Sequence, residues 1–458
     1  MTETVNPRIF RQYDVRGVVG DDLTEGVVEK LGKGYGTYMI RLGKRRASIG
    51  YDARPSSPGF RDALIKGIVS TGLDVVDVGP VPTPTFYFSL FHLDVDGGVM
   101  ITGSHNPPEF NGFKLAVGHT TIHGAEIQRI RQIIEAADYP QGEGKLTQRD
   151  VKPAYLTTLK ERIGPFDRKL RVVVDAGNGM AGMFCPQLFQ DLGAEVFGLY
   201  CEVDGTFPNH HPDPTVPAYL TDLIARVLED KADLGMAYDG DADRLGVIDE
   251  QGNIIWGDQL LILFSREVLA RLPGATIIFE VKCSQALPEE IERAGGIPLM
   301  WRTGHSFIKQ KMKEENSPLA GEMSGHLFFA DEYYGYDDAI YASLRLVRLL
   351  SRTDKTIGEM LADVSKYCST PEIRVDYPDE EKFQVVAALV DHFKKEYEVV
   401  DVDGARILFG DGWGLVRASN TQPILVLRFE ARTAERLEEI KQIVMSKLSE
   451  ISSAEIPS

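Results

Sequence analysis

Short apolar runs recur along this chain in a fixed order: a strand-like run, a polar loop, a helical stretch, a glycine and a second strand-like run. Ala47-Ser-Ile-Gly-Tyr-Asp52 opens the first such block. A polar loop with Arg54 and Pro55 follows, then a helical stretch from Phe60 to Ser70, then Gly72 before Leu73 to Val78. The second block runs from Arg171-Val-Val-Val-Asp175 through a glycine-rich turn and a helix to Gly193 and the strand Glu195 to Leu199. The third runs from Ala275-Thr-Ile-Ile-Phe-Glu280 through a helix at Leu287 to Arg293, then Gly295 and Gly296, to Ile297 to Trp301. This order predicts a right-handed βαβ unit in each block.

Each block continues with another strand, a polar loop and a further apolar run. The strands are Gly98 to Thr102 before Ser104, Asp233 to Tyr238 before Asp239, and Leu319 to Gly321 before Glu322. The period is too long and loose for a solenoid. Three related α/β domains are therefore expected, with mixed sheets between helices. The tail differs: Trp413 to Arg417 and Ile424 to Phe429 read as strands around a polar loop, and an amphipathic helix capped by Thr433 runs to Leu448. This predicts a smaller α+β domain. The boundaries are placed at 1–149, 150–251, 252–367 and 368–458.

Composition narrows the function classes. The 458 residues are enough for several cores, and 43% hydrophobic with 26% charged residues is ordinary globular usage. A net charge of −18 opposes nonspecific binding to nucleic acid or anionic membrane, so an anionic ligand needs a local cluster of Arg and Lys. No apolar stretch approaches a membrane span, and Met1 to Pro7 lacks the pattern of a signal peptide. Cys185, Cys201, Cys283 and Cys368 form no CxxC pair, so a reduced cytoplasmic setting is expected.

Four polar loops carry candidate chemistry. In Asp239-Gly-Asp241-Ala-Asp243-Arg244, three carboxylates at alternate positions can converge on one hard cation. A calcium EF-hand does not fit, because Arg244 occupies its glycine position and strand-like segments flank the loop. Magnesium is the natural ion if a phosphate completes its shell. Thr102-Gly-Ser104-His105-Asn106-Pro107-Pro108 places a serine just beyond a strand, although taken alone a plain turn is the better reading. Gly321-Glu322-Met323-Ser324-Gly325-His326 groups side chains able to bind ligand hydroxyls. Arg417-Ala-Ser419-Asn420-Thr421-Gln422-Pro423 could form an anion nest. A G-x-G-x-x-G run at Gly177, Gly179 and Gly182, with Glu202 further on, imitates a dinucleotide fingerprint but leaves the other loops unexplained. It is read as a tight turn.

Taken together, these loops resemble the α-D-phosphohexomutase superfamily, in particular its bacterial phosphomannomutase/phosphoglucomutase group. The resemblance runs from Phe10-Arg-Gln-Tyr-Asp-Val-Arg16-Gly17 to the loop at Arg417, and the serine and aspartate motifs are specific as an ordered pair. It implies four domains around a deep cleft and a phosphohexomutase that moves phosphate between O1 and O6 of mannose, glucose or both. A phosphoserine at Ser104 would carry the phosphoryl group, with hexose 1,6-bisphosphate as intermediate. It also implies Mg²⁺ on Asp239, Asp241, Asp243 and the Ser104 phosphate. Arg244 resembles the family's active-site arginine, and Tyr13, Arg16, His105, Lys114, Lys282 and His305 match active-site positions. Lys114 or His305 would be the general base or acid. Glu322, Ser324 and His326 resemble the sugar-specificity loop, while Arg417, Ser419, Asn420 and Thr421 resemble the grip on the non-transferred phosphate. Met323 fits the mannose/glucose group better than the phosphoglucosamine mutases. A monomer or weak dimer is expected. Rival readings are a phosphoglucosamine mutase, a phosphatase, a non-catalytic sugar-phosphate-binding protein and, more distantly, a dehydrogenase.

Overall fold

The computed structural model describes residues 4–420 and 422–452. Its three α/β blocks share one strand order. In the first, Arg46–Tyr51 lies between Asp74–Pro80 and Gly97–Ile101, parallel to both, and Phe110–Val117 returns antiparallel beside Gly97–Ile101. In the second, Arg171–Asp175 lies between Glu195–Leu199 and Leu234–Tyr238, and Leu245–Asp249 returns antiparallel. In the third, Thr276–Glu280 lies between Ile297–Trp301 and Leu319–Gly321, and Leu327–Phe329 returns antiparallel. The central strands are buried on both faces, which explains why they read as continuous apolar runs.

The glycine between helix and strand is structurally equivalent in all three blocks. Gly72, Gly193 and Gly295 have φ of +93°, +105° and +81°, a region that a Cβ disfavours. The polar loops are equivalent too. Residues 102–109, 239–244 and 322–326 each join the third strand to the antiparallel fourth. They therefore leave the carboxyl ends of the parallel strands, where open α/β sheets place their ligands.

The glycine-rich turn after Asp175 leads to a 3-10 turn, Met180–Met183, and then a short helix, Cys185–Asp191, instead of one continuous helix. The Met180 amide donates to the Gly240 carbonyl at 2.9 Å, so the turn seats the aspartate loop and does not offer a helix start to a dinucleotide.

The tail forms its own antiparallel sheet around the hairpin Gly412–Ala418 and Ile424–Ala431. Helices Lys382–Phe393 and Ala434–Ile451 cover it, forming a separate core. Thr433 caps the last helix, accepting from the Arg436 amide at 3.2 Å. Val281, Trp413 and Leu415 pack together between the third block and the tail. Beside them the buried Arg406 lies 3.8 Å over the Trp413 ring and donates to the Val281 and Cys283 carbonyls at 2.5 and 2.8 Å. Among the described residues, no helix is long and apolar enough to cross a membrane.

Candidate active site

The serine loop and the aspartate loop meet. Ser104, with φ of 49°, is buried, and its hydroxyl donates to Asp239 Oδ2 at 2.7 Å. That donation uses the hydroxyl's only proton, so at 3.1 Å from His105 Nδ1 the oxygen accepts. His105 is therefore not drawing a proton from Ser104 in this arrangement. Burial, with Arg244 and Arg16 nearby, holds the His105 imidazole well below its ordinary range.

The three aspartates are fully buried and converge. Asp239 Oδ1 accepts from the amides of Asp243 and Arg244 at 3.0 and 3.1 Å. Asp241 Oδ2 accepts from Thr83 at 2.6 Å and from Lys114 at 2.7 Å, and Lys114 also reaches Asp243 at 2.5 Å. Burial and the other two carboxylates push Asp239 well above its ordinary range. At Asp241 burial pushes the same way, but the Lys114 ammonium outweighs it and holds the carboxyl low. Asp241 Oδ1 and Asp243 Oδ1 are buried without a hydrogen-bond partner. Three converging carboxylates with two spare oxygens fit a hard divalent cation.

Further groups gather around these two loops. Arg16 reaches them because its strand, Val15–Val18, pairs with Phe110–Val117. It donates to Asn106 at 3.0 Å and to Asp14 at 2.7 Å. Arg244 Nε donates to His326 Nε2 at 3.0 Å, so the proton of a neutral His326 sits on Nδ1. Glu322 is buried and accepts from the Gly304 amide at 2.6 Å, and burial raises its carboxyl. Ser324 is half-buried in the turn between Glu322 and His326. His305 begins the helix His305–Glu315. Its ring lies 5.7 Å from that of His326, and burial together with the Lys309 charge pushes its pKa down to about 4.

The tail meets the first and third blocks through Asn420 and Asp403. Arg417 is held by Asp403 Oδ2, at 3.1 Å from Nε and 3.0 Å from Nη2. Asn420 donates to the Tyr13 hydroxyl at 2.7 Å, and that hydroxyl donates to the Thr303 carbonyl at 2.9 Å. Tyr13 thus links the first block, the third block and the tail. Lys282 pairs with Glu372 at 3.1 Å. Ser419 Oγ accepts from the Gln422 amide at 3.2 Å, while Thr421 lies outside the described residues.

Sequence reading missed several supports. Asp337 Oδ1 takes the Lys309 ammonium at 2.8 Å, and its Oδ2 lies 3.4 and 3.3 Å from Nδ1 of His305 and His326. Lys382 ties the tail loop through the Ser419 and Gln422 carbonyls at 2.5 and 2.8 Å. The Asp337-Asp338 pair ahead of a helix was the one local signal.

The fold and these contacts define a multidomain α/β protein with a serine beside an acidic loop able to hold a cation. Models of the phosphoglucomutase/phosphomannomutase family match throughout: alpha/beta/alpha domains I, II and III at 7–141, 153–252 and 256–367, and the C-terminal domain at 372–447. A phosphomannomutase/phosphoglucomutase of Pseudomonas aeruginosa is 46% identical over 452 residues, 98% of this chain and 97% of that protein. A phosphoglucomutase of Neisseria gonorrhoeae is 43% identical over 94% of this chain and 95% of its own. A crystal structure of a phosphoglucomutase/phosphomannomutase family protein from Burkholderia thailandensis superposes with a TM-score of 0.92 at 40% identity, covering 99% of this chain and all of that one. The chain belongs to the phosphoglucomutase/phosphomannomutase family of the α-D-phosphohexomutase superfamily.

Proposed function

We propose that this chain interconverts hexose 1-phosphate and hexose 6-phosphate, of mannose, glucose or both, in a reduced cytoplasmic setting. The observation that carries this reading is the 2.7 Å contact between Ser104 Oγ and Asp239, with Arg244 of the same aspartate loop bonded to His326 of the third polar loop. Phosphoryl transfer is mainly positioning and charge neutralisation, and the cleft supplies both.

Ser104 carries the phosphoryl group as a phosphoserine. The free hydroxyl of the bound sugar phosphate attacks it. The Ser104 Oγ–P bond breaks as the sugar O–P bond forms, and the hydroxyl proton passes to a nearby base. The resulting hexose 1,6-bisphosphate turns end for end. Ser104 Oγ then attacks the other phosphorus, the sugar O–P bond there breaks as the Ser104 Oγ–P bond re-forms, and the base returns its proton to the freed sugar oxygen. His305 suits the base role because burial keeps it neutral at pH 7. Lys114 suits the role of charge donor, because Asp241 and Asp243 hold its ammonium protonated despite burial. Arg244 and Arg16 add positive charge, and His105 donates toward Ser104 Oγ.

Asp239, Asp241 and Asp243, with the Ser104 phosphate, are the residues to hold Mg²⁺. The bound ion would neutralise charge on the transferring group. Arg417, Ser419, Asn420 and Thr421 grip the phosphate that is not in transfer. Because they must serve both orientations of the sugar, they read only what the two share. Glu322, Ser324 and His326 bind sugar hydroxyls, with Tyr13 and Lys282 at the edges of the same pocket.

A coupled assay on mannose 1-phosphate and glucose 1-phosphate, with Ser104→Ala as control, tests the reading. A mutase forms hexose 6-phosphate. Release of inorganic phosphate alone would mark a phosphatase, and no turnover with tight binding would mark a binding protein.

A further inference from the structure

Behind Ser104 lies a buried ion pair that the reaction scheme does not use. Arg54 is fully buried, and its Nε lies 3.3 Å from Asp52 Oδ2. Its guanidinium donates to four backbone carbonyls, three in the serine loop and one on Phe110 at the start of the next strand. Nη2 reaches the Ser104 and Asn106 carbonyls at 2.8 and 2.5 Å, and Nη1 reaches the Pro107 and Phe110 carbonyls at 2.6 and 3.0 Å. Asp52 takes the opposite polarity. Its Oδ2 accepts from the Gly103 amide at 3.2 Å, and its Oδ1 accepts from the Arg54 amide at 3.0 Å and the Ser57 hydroxyl at 2.6 Å.

The pair therefore grips Ser104 from both flanks, by the N–H of the residue before it and by its own carbonyl. Three further observations show how tight the fit is. Ser104 sits at φ of 49°, which a non-glycine residue keeps only when its surroundings hold it. A Cβ on Gly103 would lie 2.4 Å from Arg54 Nε and Cζ. A Cβ on Gly240, in the aspartate loop, would lie 2.5 Å from the Ser104 carbonyl oxygen. That carbonyl is thus seated between Arg54 and the aspartate loop. On the other face, the Phe207 ring of the second block lies 5.2 Å from the guanidinium.

We infer that Arg54, set by Asp52, is a positioning residue for phosphoryl transfer. It holds the Ser104 carbonyl against Gly240 and so fixes Ser104 Oγ relative to Asp239. A fork with donors on both nitrogens can bind four carbonyls at once, whereas a lysine ammonium has three donors and no plane. This inference rests on the proposed phosphoserine mechanism. Near-attack geometry tolerates little displacement: about 1 Å of misplacement can cost on the order of 100-fold in rate.

The test compares wild type, Arg54→Lys and Gly103→Ala. For each, kcat and KM on glucose 1-phosphate are measured, together with phosphate occupancy by intact mass, at a temperature where all are folded. Gly103→Ala keeps the charge but pushes the guanidinium off the loop. Both variants are expected to lose about 100-fold in kcat per phosphorylated enzyme, with KM within about threefold of wild type. The double variant should lose far less than the product of the two, because both act on one contact. Should Arg54→Lys fail to fold, Gly103→Ala and rescue of Arg54→Ala by guanidinium ion carry the same test. Wild-type kcat in folded Arg54→Lys, or multiplicative losses in the double variant, would overturn the positioning role. A wild type that neither turns over nor carries phosphate would instead refute the functional reading beneath it.

Discussion

Ser104 Oγ and Asp239 Oδ2 lie 2.7 Å apart although 135 residues separate them in the chain. Their meeting follows from repetition: each residue sits in the loop between the third and fourth strands of its own sheet, and the two sheets present those loops to a common cleft. The same reasoning brings in Glu322 and His326 from the third sheet.

The acidic loop should make turnover dependent on a divalent cation. Chelation is expected to abolish activity and added Mg²⁺ to restore it. Asp241→Asn should lower kcat by roughly 100- to 1,000-fold at saturating Mg²⁺, the scale of losing a preorganised charge at a transfer site. Activity measured against Mg²⁺ concentration checks this, and a wild-type curve for the variant would contradict it.

Arg417 is buried, with its guanidinium already oriented by Asp403. Removing a charged grip on phosphate costs about 1.5–3 kcal/mol. Arg417→Ala should therefore raise KM by roughly 10- to 100-fold. It should also lower kcat, because anchoring the remote phosphate orients the reacting end. Steady-state kinetics on either sugar 1-phosphate decide the matter.

Tyr13→Phe removes the hydroxyl that links Asn420 to the Thr303 carbonyl. Two neutral hydrogen bonds of about 1 kcal/mol each are lost. The tail should close less firmly, raising KM by about 3- to 30-fold while leaving the melting temperature nearly unchanged. Equal KM values would show that Tyr13 takes no part in closing the cleft.

Asp338 provides a pH-dependent prediction for stability. It caps the helix Ala339–Ser351 and accepts from the Tyr155 and Tyr333 hydroxyls, and burial pushes its carboxyl up to about 7. A raised folded-state value means that the folded protein holds a proton that the unfolded chain releases. Stability from this group is full below the unfolded value near 4 and is lost as pH rises toward 7. Asp338→Asn should therefore gain on wild type between pH 4 and 8, by on the order of a few kcal/mol. Denaturant melts at several pH values measure the difference. A gap that does not change with pH would contradict it.

Much of this was legible in the sequence, for physical reasons. The βαβ blocks are visible because strands buried on both faces read as apolar runs and because the crossover glycines need positive φ. The four loops are visible because clustered polar residues interrupt those runs. Arg54 and Asp403 were not legible as supports, and Asp337 was marked only by its place beside the helix cap Asp338. Their partners are distant carbonyls, imidazoles and a guanidinium, and a buried arginine has the same local sequence as an exposed one. The break after Gly179 was hidden for a similar reason, since it serves a contact with Gly240 in another strand's loop.

In the proposed mechanism Ser104 ferries a phosphoryl group between the two ends of a sugar phosphate. The most direct measurement follows protein mass and sugar products together in a single turnover. Phosphorylated enzyme in excess over glucose 1-phosphate should form glucose 1,6-bisphosphate and then glucose 6-phosphate, with the covalent phosphate leaving and returning at Ser104. Formation of glucose 6-phosphate without Ser104 ever carrying phosphate would contradict the account.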